Sequence, residues 1–285
     1  MIKRSVLFCL LLTGFAFSGC EEQNDWAEKE LSDGNIVVEG MITSDMEYQT
    51  IRLSKLSAGP GITPEVVSGA AILVSAPDEL YKFTEDPEEP GTYRSKIRFA
   101  GKQLRTYSLL INHNNNVITA KATMPVAREF VFLRYVKHGS TGMFRLVWVA
   151  NTYNAKRLAM YEVLLDWSMV NGYENLPYEE THARLLYYTL PTLDVSQVFA
   201  PTQEIVLFPP GTHITEKRYS ISENHAAFLR ALLSETNWQG GLFNAASANL
   251  PTNLSGNSRG YFSACAVTTK TDIARNILPL SKGSN

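Results

Sequence analysis

The chain has 285 residues, of which 45% are hydrophobic and 19% are charged, and its 26 basic and 28 acidic side chains give a net charge of −2. This composition excludes collagen, coiled coils and wholesale disorder, and it indicates a globular body of one large domain or two domains of roughly 100–150 residues. The charge balance shows no basic excess for binding phosphates, so we expect no nucleic-acid partner.

The first residues resemble the export signal of a bacterial lipoprotein. Lys3 and Arg4 form a positive n-region, and residues 6–17 form an apolar stretch that is too short for a membrane helix. Small residues precede Cys20, as in a lipobox, so we expect residues 1–19 to be a lipoprotein signal peptide and Cys20 to carry lipid. A plain secretory signal is the alternative.

The residues that follow Cys20 are mostly acidic. Residues 21–25 resemble a signal for export to the cell surface, and we interpret residues 20–33 as an acidic tether. We therefore expect a lipid-anchored protein of the outer membrane that faces the cell exterior. A merely solvated tether is the alternative.

Cysteine content excludes an intrachain disulfide in the mature chain. Cys9 leaves with the signal and Cys20 carries lipid, so Cys265 remains alone among small and apolar neighbours. We expect Cys265 to be a buried small hydrophobe, because a nucleophilic role requires a histidine brought from elsewhere in the chain.

Residues 34–127 read as an immunoglobulin-like β-sandwich. Short β-branched and aromatic runs recur between turn residues, and residues 114–116 are three asparagines typical of a hairpin turn. The predicted strands cover residues 35–40, 48–54, 66–74, 80–83, 91–93, 104–111 and 117–122.

Residues 128–272 read as a second β-rich domain that carries one amphipathic helix, followed by a flexible tail over residues 273–285. The strand at 160–169 places four large side chains at one parity, which predicts a buried face: Tyr161, Val163, Leu165 and Trp167. Further strands are predicted at residues 130–137, 144–150, 184–190 and 204–208, with a final strand that runs through Val267.

The helix is predicted from residue 221 to residue 233. Ser220 and Glu223 have the spacing of a capping box. Four apolar residues recur three and four positions apart, which indicates one buried face: Phe228, Leu229, Leu232 and Leu233.

One sequence pattern imitates a catalytic motif. Residues 256–260 fit the G-x-S-x-G pattern around Ser258, but the chain around them reads as β rather than strand–turn–helix. The last histidine, His225, also precedes the serine, whereas the elbow order requires a histidine after it. We interpret the pattern as a turn.

No cofactor or metal site is expected. The histidines are scattered without metal-ligand spacing: His113, His138, His182, His213 and His225. Residues 85–90 read as an acidic hairpin loop, with a calcium loop as the weaker alternative, because they lack alternating oxygen ligands.

Aromatic residues of the second domain suggest a ligand surface or a core. The aromatic residues concerned are Tyr161, Trp167, Tyr173, Tyr178, Tyr187 and Tyr188, and Asp166 lies beside Trp167 in the same strand. Aromatic residues at strand parity more often form core, so ligand binding by this surface is the lesser alternative.

Short motifs occur in a fixed order over most of the chain, at residues 36–40, 67–74, 91–93, 120–125, 220–233, 240–243, 253–256 and 260–262. Together they resemble the Bacteroidota lipoprotein family catalogued as domain of unknown function 4249. The resemblance implies an immunoglobulin-like domain, a second β-rich domain, an outer-membrane lipid anchor and genes near TonB-dependent receptors. It implies no established enzyme activity and supplies no catalytic or binding residue.

We therefore expect a non-enzymatic accessory subunit of a TonB-dependent transporter or other outer-membrane barrel, with a barrel protein and the membrane as its partners. A stand-alone surface protein that binds a glycan or a peptide is the alternative. An anchored hydrolase would require a perturbed acid or base in a cleft, which the sequence does not indicate.

Overall fold

The computed structural model describes residues 36–56, 63–130, 133–150, 154–191, 205–237 and 250–275. These residues belong to one compact unit that spans residues 35–285. Three predicted features lie outside the described residues: the signal peptide, Cys20 with its tether, and the motif at 240–243. Most of the predicted tail lies outside them too.

The described chain forms thirteen strands and two helices, which confirms the prediction of a mainly β fold. The strands are β1 Ile36–Thr43, β2 Thr50–Lys55, β3 Ala71–Ala76, β4 Glu79–Glu85, β5 Thr92–Ser95, β6 Thr106–His113, β7 Asn116–Thr123, β8 Arg134–Lys137, β9 Phe144–Trp148, β10 Ala159–Asp166, β11 His182–Thr189, β12 His213–Ser220 and β13 Arg259–Ile273. The helices are α1 Tyr178–Thr181 and α2 Glu223–Asn237.

Eleven of these strands form one sheet in the order β11-β10-β12-β13-β1-β2-β5-β4-β3-β6-β7, and β8 pairs with β9 in a separate sheet. The 15-residue strand β13 lies near the C-terminal end of the described chain and pairs with β1 at its N-terminal end. Its first half lies parallel to β1 and its second half antiparallel to β12. The domain boundary predicted at residues 127 and 128 stays a prediction, and β13 contacts strands from both sides of it.

The first hydrophobic cluster is formed mainly by residues of β1 to β7. Alternating residues of these strands are buried, as period-two patterning requires. Strand β13 adds Phe262, Ala264 and Ala266 to this cluster, so residues far apart in the chain complete it. The hairpin turn predicted at residues 114–116 is confirmed, because Asn114 and Asn115 have φ of 48° and 63° between β6 and β7.

The second cluster confirms the buried face predicted for β10. Tyr161, Val163, Leu165 and Trp167 are all at most 7% exposed. The β8–β9 hairpin covers this face, and its Tyr135 meets Phe144 edge-on with ring centroids 5.2 Å apart.

Helix α2 packs on the opposite face of the sheet. Ala226 and Leu229 join Leu158, Leu190 and Cys265 in a third cluster, as the predicted amphipathic pattern requires. The cap differs from the prediction, because the Ser222 hydroxyl, not Ser220, accepts the hydrogen bond from the amide of His225 at 3.2 Å. The four-residue helix α1 was not predicted.

One strand prediction is wrong, and one observed strand was not predicted. Residues 205–207 form no strand, and only Phe208 makes an isolated bridge, to Phe144. Strand β12 was not predicted, because its sequence is largely polar. Its residues nevertheless alternate between buried and half-buried, and Arg218 is only 1% exposed. Its place between β10 and β13 buries these polar groups.

Gly260 is required where β13 meets β1. Its φ is 89°, and a Cβ atom at this position would lie 2.2 Å from the carbonyl oxygen of Val38. Only glycine tolerates both the backbone conformation and this close approach. Gly260 of the closing motif therefore serves strand pairing.

Candidate functional site

An open groove of about 780 Å³ lies on the outer face of β3, β4, β6 and β7. Its apolar surface comes from Leu73, Leu80 and Leu110, and we call it the leucine groove. Leu80 is 59% exposed and Leu110 is 40% exposed. These leucines therefore expose apolar area on the outer face of the sheet, between polar residues such as Ser75 and Ser108.

A strap of residues 252–255 forms one wall of the leucine groove. The backbone of Ser255 donates to the carbonyl of Thr119 at 2.8 Å, and its hydroxyl accepts from the Thr119 amide at 2.8 Å. The Asn253 side chain donates to the carbonyls of Lys121 at 3.0 Å and Phe262 at 2.7 Å. The strap thus ties the edge of β7 to β13 and holds this wall in place.

Two lysines flank the leucines on the same face. Lys82 lies opposite Leu73 in the β3–β4 ladder, and Lys121 lies opposite Ser108 in the β6–β7 ladder. Side chains directly opposite each other in an antiparallel ladder share a face. The groove therefore combines an apolar floor with Lys121 in its lining, and Lys82 lies beside Leu73 on the same sheet face.

A second open site lies at the far end of the sheet, where β10 ends and β11 and β12 begin. We call this cavity of about 580 Å³ the Asp166 cleft. The strand register places Asp166 between His182 on β11 and His213 on β12. Tyr178, which is 70% exposed, stacks on the His182 ring with centroids 3.9 Å apart.

Hydrogen bonds hold Asp166 ionised at this site. Burial acts to raise the pKa of Asp166, but hydrogen bonds from the hydroxyl and amide of Ser168, together with His182 and His213, lower it below its ordinary value. The His182 Nε2 atom lies 3.2 Å from the Asp166 carboxylate. The cleft thus offers a carboxylate, two imidazoles and an exposed ring, which suit the hydrogen-bonding and apolar faces of a polar ligand.

An ion-pair network lies beside the cleft on the same face. The Arg184 guanidinium donates to one carboxylate oxygen of Glu162, and the Tyr219 hydroxyl donates to the other at 2.8 Å. Burial acts to raise the pKa of Glu162, but these two hydrogen bonds outweigh it and lower the pKa. The ion pair with Glu162 therefore keeps the Arg184 guanidinium on this face of the sheet.

The structure divides the predicted aromatic surface. Tyr161 and Trp167 are buried in the second cluster, and Tyr173 and Tyr187 pack against it. Tyr188 packs against the third cluster. Only Asp166 and Tyr178 line the cleft. Strand pairing brings His182, His213 and Arg184 to these two residues, so their proximity is not visible in the sequence.

Ser258 and Cys265 carry side chains that can act as nucleophiles, but both have the surroundings of structural residues. The Ser258 hydroxyl donates to the carbonyl of Ser255 at 3.1 Å, and strand β13 follows this turn, as the sequence interpretation predicts. The predicted burial of Cys265 is confirmed. Its Sγ atom lies 3.8 Å from Nδ1 of His225, which the sequence could not indicate.

The predicted acidic hairpin loop joins β4 to β5. The Glu85 carboxylate accepts hydrogen bonds from the amides of Gly69 and Gly91, each at 2.9 Å, and Asp86 pairs with Arg94 at 2.7 Å. Across the described ranges, no group of three or more histidine, cysteine or acidic residues is arranged to hold a metal ion.

The large sheet, the high strand content and the two helices make this a mainly β, sandwich-like protein. The family described as Domain of unknown function (DUF4249) matches residues 24–271, and the chain belongs to this family. A search of curated proteins finds no match. Among the described residues, no helix has the length and apolar character needed to cross a membrane.

Proposed function

We propose that this chain is a non-enzymatic lipoprotein, anchored in the outer membrane through lipid on Cys20 and facing the cell exterior. In this proposal it acts as an accessory subunit of a TonB-dependent transporter or another outer-membrane barrel. The signal-like N-terminus with small residues before Cys20 and the resemblance of the sequence motifs to a lipoprotein family support the anchor, and the acidic residues after Cys20 support export to the surface.

The observation that carries the accessory role is the leucine groove. An apolar floor beside lysines suits a partner face that combines apolar and acidic groups, since burial of apolar area stabilises a complex and opposite charges orient it. The strap holds one wall of the groove, so little ordering is needed when the partner binds.

Isolation of the lipidated protein from its native membrane in a mild detergent tests this proposal. We expect a stoichiometric barrel protein to copurify with the wild type and to be lost with Leu80→Asp, which places a carboxylate in the groove. Ile97→Asp is the matched control, because Ile97 is also 59% exposed and lies outside the groove.

Two results would contradict the accessory role. One is the absence of a barrel protein even after mild crosslinking. The other is equal loss of the barrel with both aspartate variants, which would show that the groove is not the contact.

A second candidate is a stand-alone surface protein that binds a glycan or a peptide, and the Asp166 cleft favours it. The exposed ring of Tyr178 beside the Asp166 carboxylate can stack on a ligand and accept its hydrogen bonds. Titration of residues 21–285 with glycans and peptides separates the candidates, since saturable binding without a barrel supports this one.

A further inference from the structure

Strand β11 ends the eleven-stranded sheet. It is eight residues long, and within the described part of the chain it pairs with β10 alone. A strand at a sheet edge presents backbone N–H and C=O groups that can bind another strand. The register of β11 shows which groups these are.

The backbone groups of alternate β11 residues point away from β10. The amide of Trp167 donates to the carbonyl of Thr181 at 2.9 Å, and these two residues continue the β10–β11 register. In an antiparallel ladder hydrogen-bonded and non-hydrogen-bonded pairs alternate, so Arg184, Leu186 and Tyr188 direct their backbone groups outward. Among the described residues, these groups have no hydrogen-bond partner.

The other end of the sheet differs. At β7 the strap occupies the outward groups of Thr119 and Lys121 through Ser255 and Asn253. Within the described part of the chain, the strap therefore covers the β7 edge, whereas no described residue pairs with the outward groups of Arg184, Leu186 and Tyr188.

The side chains of β11 give this edge limited protection. Lysine, proline and free charges commonly block edge strands. Strand β11 has no lysine or proline, and its one arginine, Arg184, has a side chain that is 65% exposed but is ion-paired with Glu162. Leu186 is 39% exposed on one face, and Leu185 and Tyr187 are half-buried against the second cluster on the other.

We propose that the outer edge of β11 binds an extended peptide segment of a partner protein as an added strand. The backbone groups of Arg184, Leu186 and Tyr188 pair with the peptide backbone. Apolar peptide side chains on the face of Leu185 and Tyr187 extend the second cluster, since added strands gain affinity from the main chain and specificity from alternate side chains. This inference goes beyond the proposed function, because the edge would bind the peptide whether or not a barrel carries it.

The test compares Leu186→Pro with Leu186→Ala in residues 21–285. Proline removes an outward N–H that the native sheet does not use, so the strand is retained, whereas alanine keeps the N–H. The probe is a lysine-capped octapeptide that alternates threonine with valine. We expect Leu186→Pro to weaken its binding about tenfold or more and Leu186→Ala to change it less than about threefold.

A second measurement does not depend on the fold of the proline variant. The same peptide, N-methylated at every backbone amide, cannot donate to the edge from either of its own edges, and we expect it to bind the wild type about tenfold more weakly or worse. On binding the unmodified peptide, the amide of Leu186 should exchange with deuterium more slowly.

Three results would overturn the proposal. The first is no saturable binding of the unmodified peptide to the wild type. The second is equal binding to the proline and alanine variants, or equal binding of the methylated peptide. The third is a wild-type dimer in sedimentation that Leu186→Pro dissociates, which would assign the edge to a second copy of the chain. None of these results depends on a barrel partner.

Discussion

At the scale of single residues, His225 and Cys265 form an uncharged pair in the protein interior. Burial lowers the pKa of His225 to about 4 and raises the pKa of the Cys265 thiol to about 12. The imidazole stacks on the Tyr261 ring with centroids 5.1 Å apart. Since a cysteine nucleophile acts as the thiolate, this thiol is suited to packing rather than attack.

His225 makes stability depend on pH. An unfolded histidine has its ordinary pKa of 6.5, so between pH 6.5 and 4 the unfolded chain binds a proton that folded His225 excludes. The titration of His225 therefore lowers the unfolding free energy as the pH falls through this window and leaves it unchanged above pH 6.5. His225→Phe keeps a ring against Tyr261 but does not titrate.

We predict that between pH 7 and pH 4 the wild type loses about 3 kcal/mol more unfolding free energy than His225→Phe. Urea unfolding at several pH values measures this difference, and the variant corrects for carboxylates that titrate over the same range. Parallel pH dependence of the two proteins would contradict the buried, neutral histidine.

Residue patterns predicted the burial of Cys265 but not its neighbour. An apolar context is visible in adjacent residues, whereas the contact between Cys265 and His225 joins residues 40 positions apart. The same holds for Asp166, whose neighbours His182 and His213 follow from the register of three strands.

At the scale of elements, the strap of residues 252–255 acts through the Asn253 side chain. It donates to the carbonyls of Lys121 and Phe262 and accepts from the Phe262 amide at 3.1 Å. One amide side chain thus joins β7 to β13 and satisfies backbone groups of both strands.

We predict that Asn253→Ala lowers the unfolding free energy by about 2 kcal/mol, because three hydrogen bonds are lost, and that it increases deuterium exchange in β7. Asn257→Ala is the matched control, since Asn257 is exposed in the same loop and no side-chain hydrogen bond is described for it. Equal effects of the two substitutions would show that the strap does not hold the β7 edge.

Elements with strong local patterns were predictable, and elements without them were not. Strand β10 and helix α2 show clear hydrophobic periods, so both were predicted. Strand β12 carries His213, Glu216, Lys217 and Arg218, and its polar sequence gave no such signal. Neighbouring strands on both sides supply the hydrogen bonds and burial that make it a strand.

At the scale of the whole molecule, β13 connects the hydrophobic clusters. Phe262 belongs to the first cluster and is fully buried, whereas Ala274, just after β13, belongs to the second. The continuous strand between them couples the two halves of the sheet, so disruption of one cluster should be felt in the other.

We predict that Phe262→Ala lowers the unfolding free energy by about 3–5 kcal/mol and accelerates deuterium exchange in β10 and β12 as well as in β1. Phe262→Leu is the control, because it retains most of the apolar volume and should cost less than half as much. Unchanged exchange in β10 and β12 would show that the two halves unfold independently.

The sequence by itself determined the mainly β class, the buried face of β10, the amphipathic helix and the asparagine turn, since each depends on neighbouring residues whose spacing records which side is buried. The tertiary structure alone decided that β12 is a strand, that β13 lies beside β1, that Asp166 meets two histidines and that β11 is a terminal strand of the described sheet. These features arise from pairing between residues distant in the chain, which local periodicity does not encode.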